Sequence, residues 1–116
     1  MLLSSIYQSI RRVASTTSFR TIHEAIGDKN RLIVDVRTVE EVARGGGCEG
    51  SLNIPLDQLS RRVGELGSDK SKPIIFYCAK GVRSADAVAF ANSLGFENVF
   101  NGVNGRQVKR LLETAS

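Results

Sequence analysis

Two short runs of apolar residues constrain the fold of this chain more than any other feature. Leu32–Val36 reads L-I-V-D-V and Ile74–Tyr77 reads I-I-F-Y, so polar residues hardly interrupt either run. A strand with one face in water alternates apolar and polar residues, whereas a strand covered on both faces of a parallel sheet does not. Both runs therefore predict buried parallel strands, and Asp35 is expected near the end of the first.

Segments with helical character alternate with these strands. Thr21 and Thr38 each precede a glutamate by three residues, Glu24 and Glu41, which is the pattern of a capping box at the start of a helix. Helices are expected over 21–27, from 38 to the glycines at 45–47, over 56–66, over 84–94 and after 105, with a last short strand at 99–100. The alternation predicts an α/β fold in which helices flank both faces of a parallel sheet of about five strands.

The composition is that of one globular domain. The chain has 116 residues, of which 41% are hydrophobic and 24% are charged. A domain of roughly 100 residues buries enough apolar surface to fold without a disulfide framework or a metal. Two cysteines and one histidine are too few for a standard zinc or iron-sulfur site. The sequence therefore predicts no metal and no cofactor, and the low cysteine count favours a reducing compartment.

Residues 1–17 differ from the rest of the chain. The first carboxylate is Glu24, and Arg11 and Arg12 supply two charges of the net +4. On a helix, the apolar residues of this segment fall on one half and its polar and basic residues on the other. A basic, acid-free, amphipathic leader predicts a mitochondrial presequence, with an ordinary packed helix or a membrane-surface anchor as alternatives. Residues 18–116 are then the single domain, and a cytoplasmic location is the other expectation.

The charge outside the leader does not indicate nucleic acid. No basic run reaches five residues, and the two tyrosines and five phenylalanines are not interleaved with arginine or lysine. No apolar stretch approaches the length of a transmembrane helix. We therefore expect no nucleic-acid partner and no stable membrane insertion, and a monomer by default.

The residues that carry chemistry are C-A-K-G-V-R-S at 78–84. They lie between a buried strand and a helix expected to begin near Ser84, where main-chain amides and the helix dipole favour bound anions. A thiol at the start of such a loop is stabilised as a thiolate by the amides, by Lys80 and by Arg83. Cys78 is therefore predicted to be a nucleophile, and the alternative is a buried structural cysteine.

The other loop residues have separate expected tasks. Gly81 permits a positive φ, and Ser84 is expected to cap the following helix with its hydroxyl group. Arg83 is expected to hydrogen-bond loop carbonyls or a carboxylate from the strand region, and so to shape the ring without touching substrate. The predicted substrate-binding residues are Ala79, Lys80, Gly81, Val82 and Arg83.

The segment 78–84, together with Asp35-Val36-Arg37 and Asn53-Ile54-Pro55, resembles the single-domain rhodanese sulfurtransferases. The resemblance covers about residues 18–116 and implies a rhodanese fold. It implies that Cys78 forms a persulfide from thiosulfate or another sulfane-sulfur donor, with cyanide or a thiol as acceptor. Lys80 matches a lysine of animal thiosulfate sulfurtransferases, which implies an anionic donor. Asp35 and Arg37 are implied to be a supporting pair and not catalytic residues.

The length of the loop separates two activities of this fold. Four residues lie between Cys78 and Arg83, as in the sulfurtransferases that the chain resembles, whereas related phosphatases and arsenate reductases have five. A short ring suits one sulfur atom on the cysteine, and a phosphate needs a wider nest of amides. The sequence favours sulfur transfer. The alternatives are a non-turnover persulfide carrier or sulfur-relay binding module and, less favoured, a phosphatase or arsenate reductase.

The segment Gly45–Gly50 departs from the family pattern. The chain reads G-G-G-C-E-G where the family typically has glycine, histidine, isoleucine, any residue and glycine, so the histidine is absent and one residue is added. Cys48 in this segment is predicted to be a half-buried loop cysteine. The alternative is that it approaches Cys78 as a resolving thiol.

Overall fold

A computed structural model of the protein describes residue 19 and residues 21–115. The predicted leader, 1–17, lies outside the described residues. Within the described part, no helix is both long enough and apolar enough to cross a membrane.

In the described part of the chain, four parallel strands form one sheet with the order β2-β1-β3-β4. The strands are β1 (Leu32–Asp35), β2 (Leu52–Asn53), β3 (Ile74–Cys78) and β4 (Val99–Asn104). Both runs predicted to be buried parallel strands form β1 and β3 at the centre of the sheet, which confirms the parallel α/β architecture. The expected count of about five strands is corrected to four among the described residues. Strand β2 went unpredicted because two residues are too short to show a periodicity.

The described residues form four α-helices, and all but the second bury residues in the core. They are α1 (Ile22–Ile26), α2 (Val39–Gly45), α3 (Val82–Ser93) and α4 (Gly105–Thr114). Both predicted capping boxes are present, Thr21 with Glu24 at α1 and Thr38 with Glu41 at α2. Helix α4 begins after Asn104, whose side chain accepts a hydrogen bond from the Gln107 amide.

The continuous helix predicted over 56–66 is wrong. The chain forms two short 3-10 helices there, Leu56–Gln58 and Val63–Leu66, separated by residues 59–62, and Arg62 just before the second has φ −110° and ψ 20°. Gly64 lies inside the second turn, and glycine is a poor helix former because folding restricts it more than any other residue. The apolar spacing nevertheless identified residues of the core, since Leu59 and Leu66 are buried.

Alternation along β3 divides the core into two layers. Ile74, Phe76 and Cys78 pack on the side covered by α3, and Ile75 and Tyr77 pack on the side covered by α1 and α4. Every residue of β3 is buried, because helices cover both faces. The same alternation places the Cys78 thiol and the Tyr77 ring on opposite faces at the carboxyl end of the sheet.

Candidate active site

Cys78 is the last residue of β3, and its thiol lies under the loop that leads into α3. The side chain is buried, and its Sγ accepts hydrogen bonds from the Gly81 amide at 3.1 Å and the Ser84 amide at 3.4 Å. Two main-chain donors on one sulfur form the inward-facing amide cradle that the sequence predicted. The arrangement stabilises negative charge on Sγ.

The environment of Cys78 makes its thiol more acidic than an ordinary cysteine. Burial raises the pKa of Cys78, but hydrogen bonds from the Ser84 side chain and from the amides of Ser84, Lys80 and Gly81 outweigh burial. The resulting pKa is about 7, below that of an ordinary cysteine. A substantial fraction of the group is therefore thiolate at neutral pH, and the thiolate is the nucleophilic form.

Ser84 does not cap helix α3, contrary to the prediction. The helix begins two residues earlier than expected, at Val82, and its N-cap residue is Gly81, which makes no side-chain cap. The buried Ser84 hydroxyl lies in the first turn, 3.3 Å from Cys78 Sγ and 2.7 Å from Asn101 Oδ1. The tertiary fold thus uses this hydroxyl at the sulfur, because Gly81 already reverses the chain into the helix.

Gly81 has the predicted positive φ, +99°. A Cβ atom at this position would lie 3.2 Å from Cγ1 of Val103, which packs against the loop from β4. The Gly81 carbonyl accepts a hydrogen bond from Asn101 Nδ2 at 3.0 Å. Asn101 therefore contacts both the loop and Ser84, a role that its place in an unremarkable stretch of sequence did not signal.

Arg83 pairs with a carboxylate, as predicted for a ring-shaping residue, but the partner comes from helix α2. Its Nη1 lies 2.7 Å from Glu41 Oε1 and its Nη2 lies 2.9 Å from Glu41 Oε2. Glu41 Oε1 also accepts the Thr38 amide at 2.9 Å as part of the capping box. The sequence identified Glu41 only as a helix cap. Its second role depends on the packing of α2 beside the loop.

The remaining predicted binding residues are exposed. Ala79 and Lys80 are exposed at the mouth of the loop, and the Val82 side chain is 72% exposed. Ala79 and Cys78 line a cavity of about 1140 Å³ at the carboxyl end of the sheet, whereas the other four predicted binding residues, Lys80, Gly81, Val82 and Arg83, do not line it. Arg106 and Lys109 of α4 extend the lining well beyond the sulfur. The structure thus places Cys78 in the wall of a wide, open cavity.

Asp35 and Arg37 form the expected supporting pair at the end of β1. Arg37 Nη2 lies 2.7 Å from Asp35 Oδ2, and Arg37 Nε lies 3.0 Å from Asp35 Oδ1. Asp35 is only 1% exposed, and burial of its charge requires a partner such as this guanidinium. Asn53 Nδ2 donates to the carbonyl oxygens of both residues at 2.9 and 3.0 Å. The pair therefore orders the turn after β1.

The glycine-rich segment that lacks the family histidine is held by Tyr77. The Cys48 amide donates to Tyr77 Oη at 2.8 Å, and Arg37 Nη2 donates to the Gly46 carbonyl at 2.6 Å. Burial is the main cause that raises the pKa of Tyr77 to about 12, so its phenol stays protonated at neutral pH. These contacts fix the wall of the cavity without an imidazole.

Cys48 is half-buried, as predicted for a loop cysteine. Its Sγ donates to the Gly105 carbonyl at 3.3 Å, and it packs with the core layer that contains Tyr77. Cys78 packs in the opposite layer, although both cysteines line the cavity. The resolving-thiol alternative would need Cys48 to leave this contact.

Comparisons with known proteins agree with this geometry. The family model "Rhodanese-like domain" matches residues 18–107. The chain therefore belongs to the rhodanese-like domain family. A Mus musculus relative named "Thiosulfate sulfurtransferase/rhodanese-like domain-containing protein 3" is 29% identical over 117 residues, covering 89% of this chain and 74% of the mouse protein.

Two solved structures are similar in fold. "Rhodanese with anions from E. coli" has a TM-score of 0.59 and 25% identity over 66% of this chain and 89% of the E. coli chain. A Rhodopseudomonas palustris protein of unknown function, described as a possible tyrosine phosphatase, has a TM-score of 0.63 and 26% identity over 86% of this chain and 83% of its own. The fold is thus shared with proteins whose descriptions name different chemistry, so the loop must decide the activity.

Proposed function

We propose that this protein is a thiosulfate sulfurtransferase that moves a sulfane sulfur to cyanide or a thiol through a persulfide on Cys78. The observation that carries the proposal is the buried Sγ, which accepts two main-chain amides at 3.1 and 3.4 Å in a loop with four residues before Arg83. Those donors stabilise the thiolate that must attack the sulfur donor. Membership of the rhodanese-like family supports the same chemistry.

The reaction has two displacement steps. The Cys78 thiolate attacks the outer sulfur of thiosulfate, the sulfur–sulfur bond of thiosulfate breaks, and sulfite leaves with the bonding electron pair. Cyanide or a thiolate acceptor then attacks the outer sulfur of the persulfide, and the Cys78 thiolate leaves as it was. Charge develops on sulfur at the loop in both steps, where the amides and the amino end of α3 stabilise it without rearrangement.

Lys80 and Arg83 have different roles in this proposal. Arg83 is held by both oxygens of Glu41, so it shapes the loop and is not a free donor to the substrate. Lys80 is exposed at the loop, and it attracts the anionic donor through its ammonium group. The ion pairs formed among the described residues are Arg37–Asp35, Arg62–Glu65 and Arg83–Glu41, so none involves Lys80.

The second candidate is a non-turnover persulfide carrier that receives sulfur from a partner protein. The observation that favours it is a pair of exposed apolar side chains at the loop, Val82 and Val103, which are 72% and 37% exposed. Val82 and Val103 flank Gly81, whose amide donates to Cys78 Sγ. Exposed apolar side chains around a reactive thiol suit contact with another protein.

A phosphatase or arsenate reductase is the least favoured reading. The amides of the loop converge on Sγ itself, with the Gly81 amide at 3.1 Å. A tetrahedral oxyanion needs donors arranged around a larger group beyond the sulfur. Hydrolysis of an aryl phosphate by the wild-type protein, lost in Cys78→Ser, would favour this reading over sulfur transfer.

Intact mass spectrometry tests the main proposal. Incubation with thiosulfate is expected to add the mass of one sulfur atom to the wild-type protein and to Cys48→Ser, and cyanide is expected to remove it as thiocyanate. Cys78→Ser is expected to gain nothing. If thiosulfate leaves the wild type unchanged while a persulfidated protein donor modifies it, the carrier candidate replaces the enzyme. Modification of Cys78→Ser to the wild-type extent would contradict both.

We also propose a mitochondrial location, supported by the basic, acid-free segment 1–17. Fluorescent fusions of the full chain and of residues 18–116 test it. The full chain is expected in mitochondria and the shorter one in the cytoplasm. Identical distributions would contradict the role of the leader.

A further inference from the structure

The hydroxyl group of Ser84 has two neighbours that compete for its single proton. Ser84 Oγ lies 2.7 Å from Asn101 Oδ1 and 3.3 Å from Cys78 Sγ. A hydroxyl group carries one proton, so it donates to only one of these acceptors at a time. The acceptor that receives this proton determines how far Ser84 stabilises the Cys78 thiolate.

The orientation of the Asn101 side-chain amide is fixed by one neighbour that can only donate a hydrogen bond and another that can only accept one. The Val103 amide, which is a donor, lies 2.9 Å from Asn101 Oδ1. The Gly81 carbonyl, which is an acceptor, lies 3.0 Å from Asn101 Nδ2. Exchange of the oxygen and the nitrogen would break both bonds, so Oδ1 faces Ser84. Because Oδ1 has no proton, Ser84 must donate in this 2.7 Å bond.

These directions determine the hydrogen bonds around Ser84 when Cys78 is a neutral thiol. Ser84 Oγ gives its proton to Asn101, so its lone pairs face Sγ at 3.3 Å and accept the thiol proton. After Cys78 loses that proton to solvent, Sγ is an acceptor only, and two lone pairs face each other. The arrangement is relieved by rotation of the Ser84 hydroxyl proton from Asn101 to Sγ.

We propose that Asn101 is a positioning residue that holds the Ser84 hydroxyl proton while Cys78 is a thiol and releases it to the sulfur when Cys78 ionises. No atom is transferred between residues in this step; one O–H bond rotates. Asn101 therefore opposes ionisation through Ser84, although it supports the loop through Gly81. The consequence is a Cys78 whose acidity depends on a residue of a neighbouring strand.

The strand around Asn101 is built in an unusual conformation that holds this amide in place. Val103 has φ +72°, the one positive value at a non-glycine among the described residues, and valine is β-branched and disfavours it. The pairing register of β3 and β4 shifts between Phe76 and Tyr77, opposite this point. Strain concentrated beside a reactive group is typical of functional sites.

The charged groups near the thiol are the same whichever way the Ser84 proton points. Arg83 interacts electrostatically with Cys78 and is itself paired with Glu41 of α2, while Arg37 after β1 repels Arg83. Lys80 lies in the loop. A double-mutant cycle that changes only Ser84 and Asn101 leaves these charges in place.

The test is the pKa of Cys78, measured by the pH dependence of thiolate absorbance in a Cys48→Ser background. Ser84→Ala is expected to raise this pKa, and to raise it by about half a unit more when Asn101 is alanine than when it is asparagine, the size of one weakened hydrogen bond. In Asn101→Asp, a stronger acceptor keeps the Ser84 proton, so Ser84→Ala is expected to shift the pKa less than in the parent.

The sign of this coupling separates positioning from simple support. If Asn101 only holds Ser84 in place, its removal should reduce the rise in the pKa of Cys78 that Ser84→Ala causes. An equal or smaller rise in the Asn101→Ala background therefore contradicts the proposal. If Asn101→Ala does not fold, the comparison rests on Asn101→Asp. The proposal is then overturned if Ser84→Ala raises the pKa of Cys78 as much in that background as in the parent. The measurement needs no sulfur donor, so its outcome is independent of the proposed sulfurtransferase activity.

Discussion

Arg83 of the active-site loop and Glu41 of helix α2 form a two-point ion pair, with distances of 2.7 and 2.9 Å between their nitrogens and oxygens. Glu41 also closes the capping box of its own helix by accepting the Thr38 amide. One carboxylate therefore determines both where α2 begins and how the loop is held. This coupling has consequences for stability that can be measured.

The ion pair predicts a loss of stability in acid that depends on Glu41. Hydrogen bonds from Arg83 and then from the Thr38 amide lower the pKa of Glu41 from 4.5 to about 2 in the folded protein. A folded-state pKa below the unfolded value stabilises the fold above pH 4.5, and this contribution is lost as pH falls from 4.5 towards 2. The free energy of unfolding, measured by urea titration, is expected to fall more steeply over this pH window in the wild type than in Glu41→Gln.

Glu40→Gln is the matched control for this measurement. Glu40 is an exposed acid on the same helix, and its removal changes the net charge equally. We expect Glu40→Gln to follow the wild-type acid profile. If the free energies of unfolding of both variants fall with pH in parallel with that of the wild type, Glu41 makes no special contribution to stability in acid.

Alkylation of Cys78 is expected to follow a titration centred near neutral pH. The pKa of Cys78 is about 7, and the thiolate is the form that reacts with iodoacetamide. In a Cys48→Ser background, the rate should rise with pH and reach half of its plateau near that value, whereas a free cysteine has a pKa of about 8.5. A midpoint above that of free cysteine in the same buffer would contradict the stabilised thiolate.

Lys80→Gln is expected to weaken the use of thiosulfate without preventing persulfide formation. Loss of one exposed attraction should raise KM for thiosulfate about twofold to fivefold and leave kcat nearly unchanged, since exposed ion pairs are weak. The control is Lys72→Gln, because Lys72 precedes β3 at the opposite end of the sheet. Equal KM values for the two variants would exclude a role for Lys80 in binding the donor.

Arg37→Met is expected to destabilise the domain strongly. It leaves the carboxylate of Asp35 buried without its partner, which costs about 3 kcal/mol in comparable cases. Arg62→Met is the matched control, since Arg62 forms a surface pair with Glu65. Urea unfolding at neutral pH should separate the two variants clearly, and similar midpoints would mean that the Asp35–Arg37 pair contributes no more than a surface pair.

Gly102→Ala is expected to destabilise the sheet by overpacking. The added Cβ atom would lie 2.6 Å from Val108 Cγ2 and 2.9 Å from Ile75 Cγ2, in the core between β3 and α4. Such a clash costs about 1–3 kcal/mol. Gly64→Ala provides the comparison, because a Cβ atom there meets nothing within 4 Å. Thermal unfolding of both variants measures the difference, and an unchanged melting temperature for Gly102→Ala would contradict the close packing.

The sequence by itself determined the elements whose signals are local. The apolar runs around Ile33 and Ile75 specify buried strands, because continuous apolar residues need cover on both faces. Both capping boxes specify helix starts through contacts over three residues. The sequence from Cys78 to Arg83 likewise predicted the amide cradle, since the amides that form it belong to residues close together in the chain. The helix predicted over 56–66 failed because a correct apolar spacing does not distinguish two 3-10 turns from one helix.

Only the tertiary structure decided which residues complete the site. Glu41 is 42 residues from Arg83, and Asn101 is 17 residues from Ser84, so no local pattern relates either pair. Tyr77 appears in the sequence as one more apolar residue of a strand, yet its hydroxyl group holds the segment that lacks the family histidine. These contacts arise because parallel strands bring their carboxyl ends to one edge of the sheet. The sequence thus determined the nucleophile and its loop, and the packing of α2 and β4 decided how that loop is held.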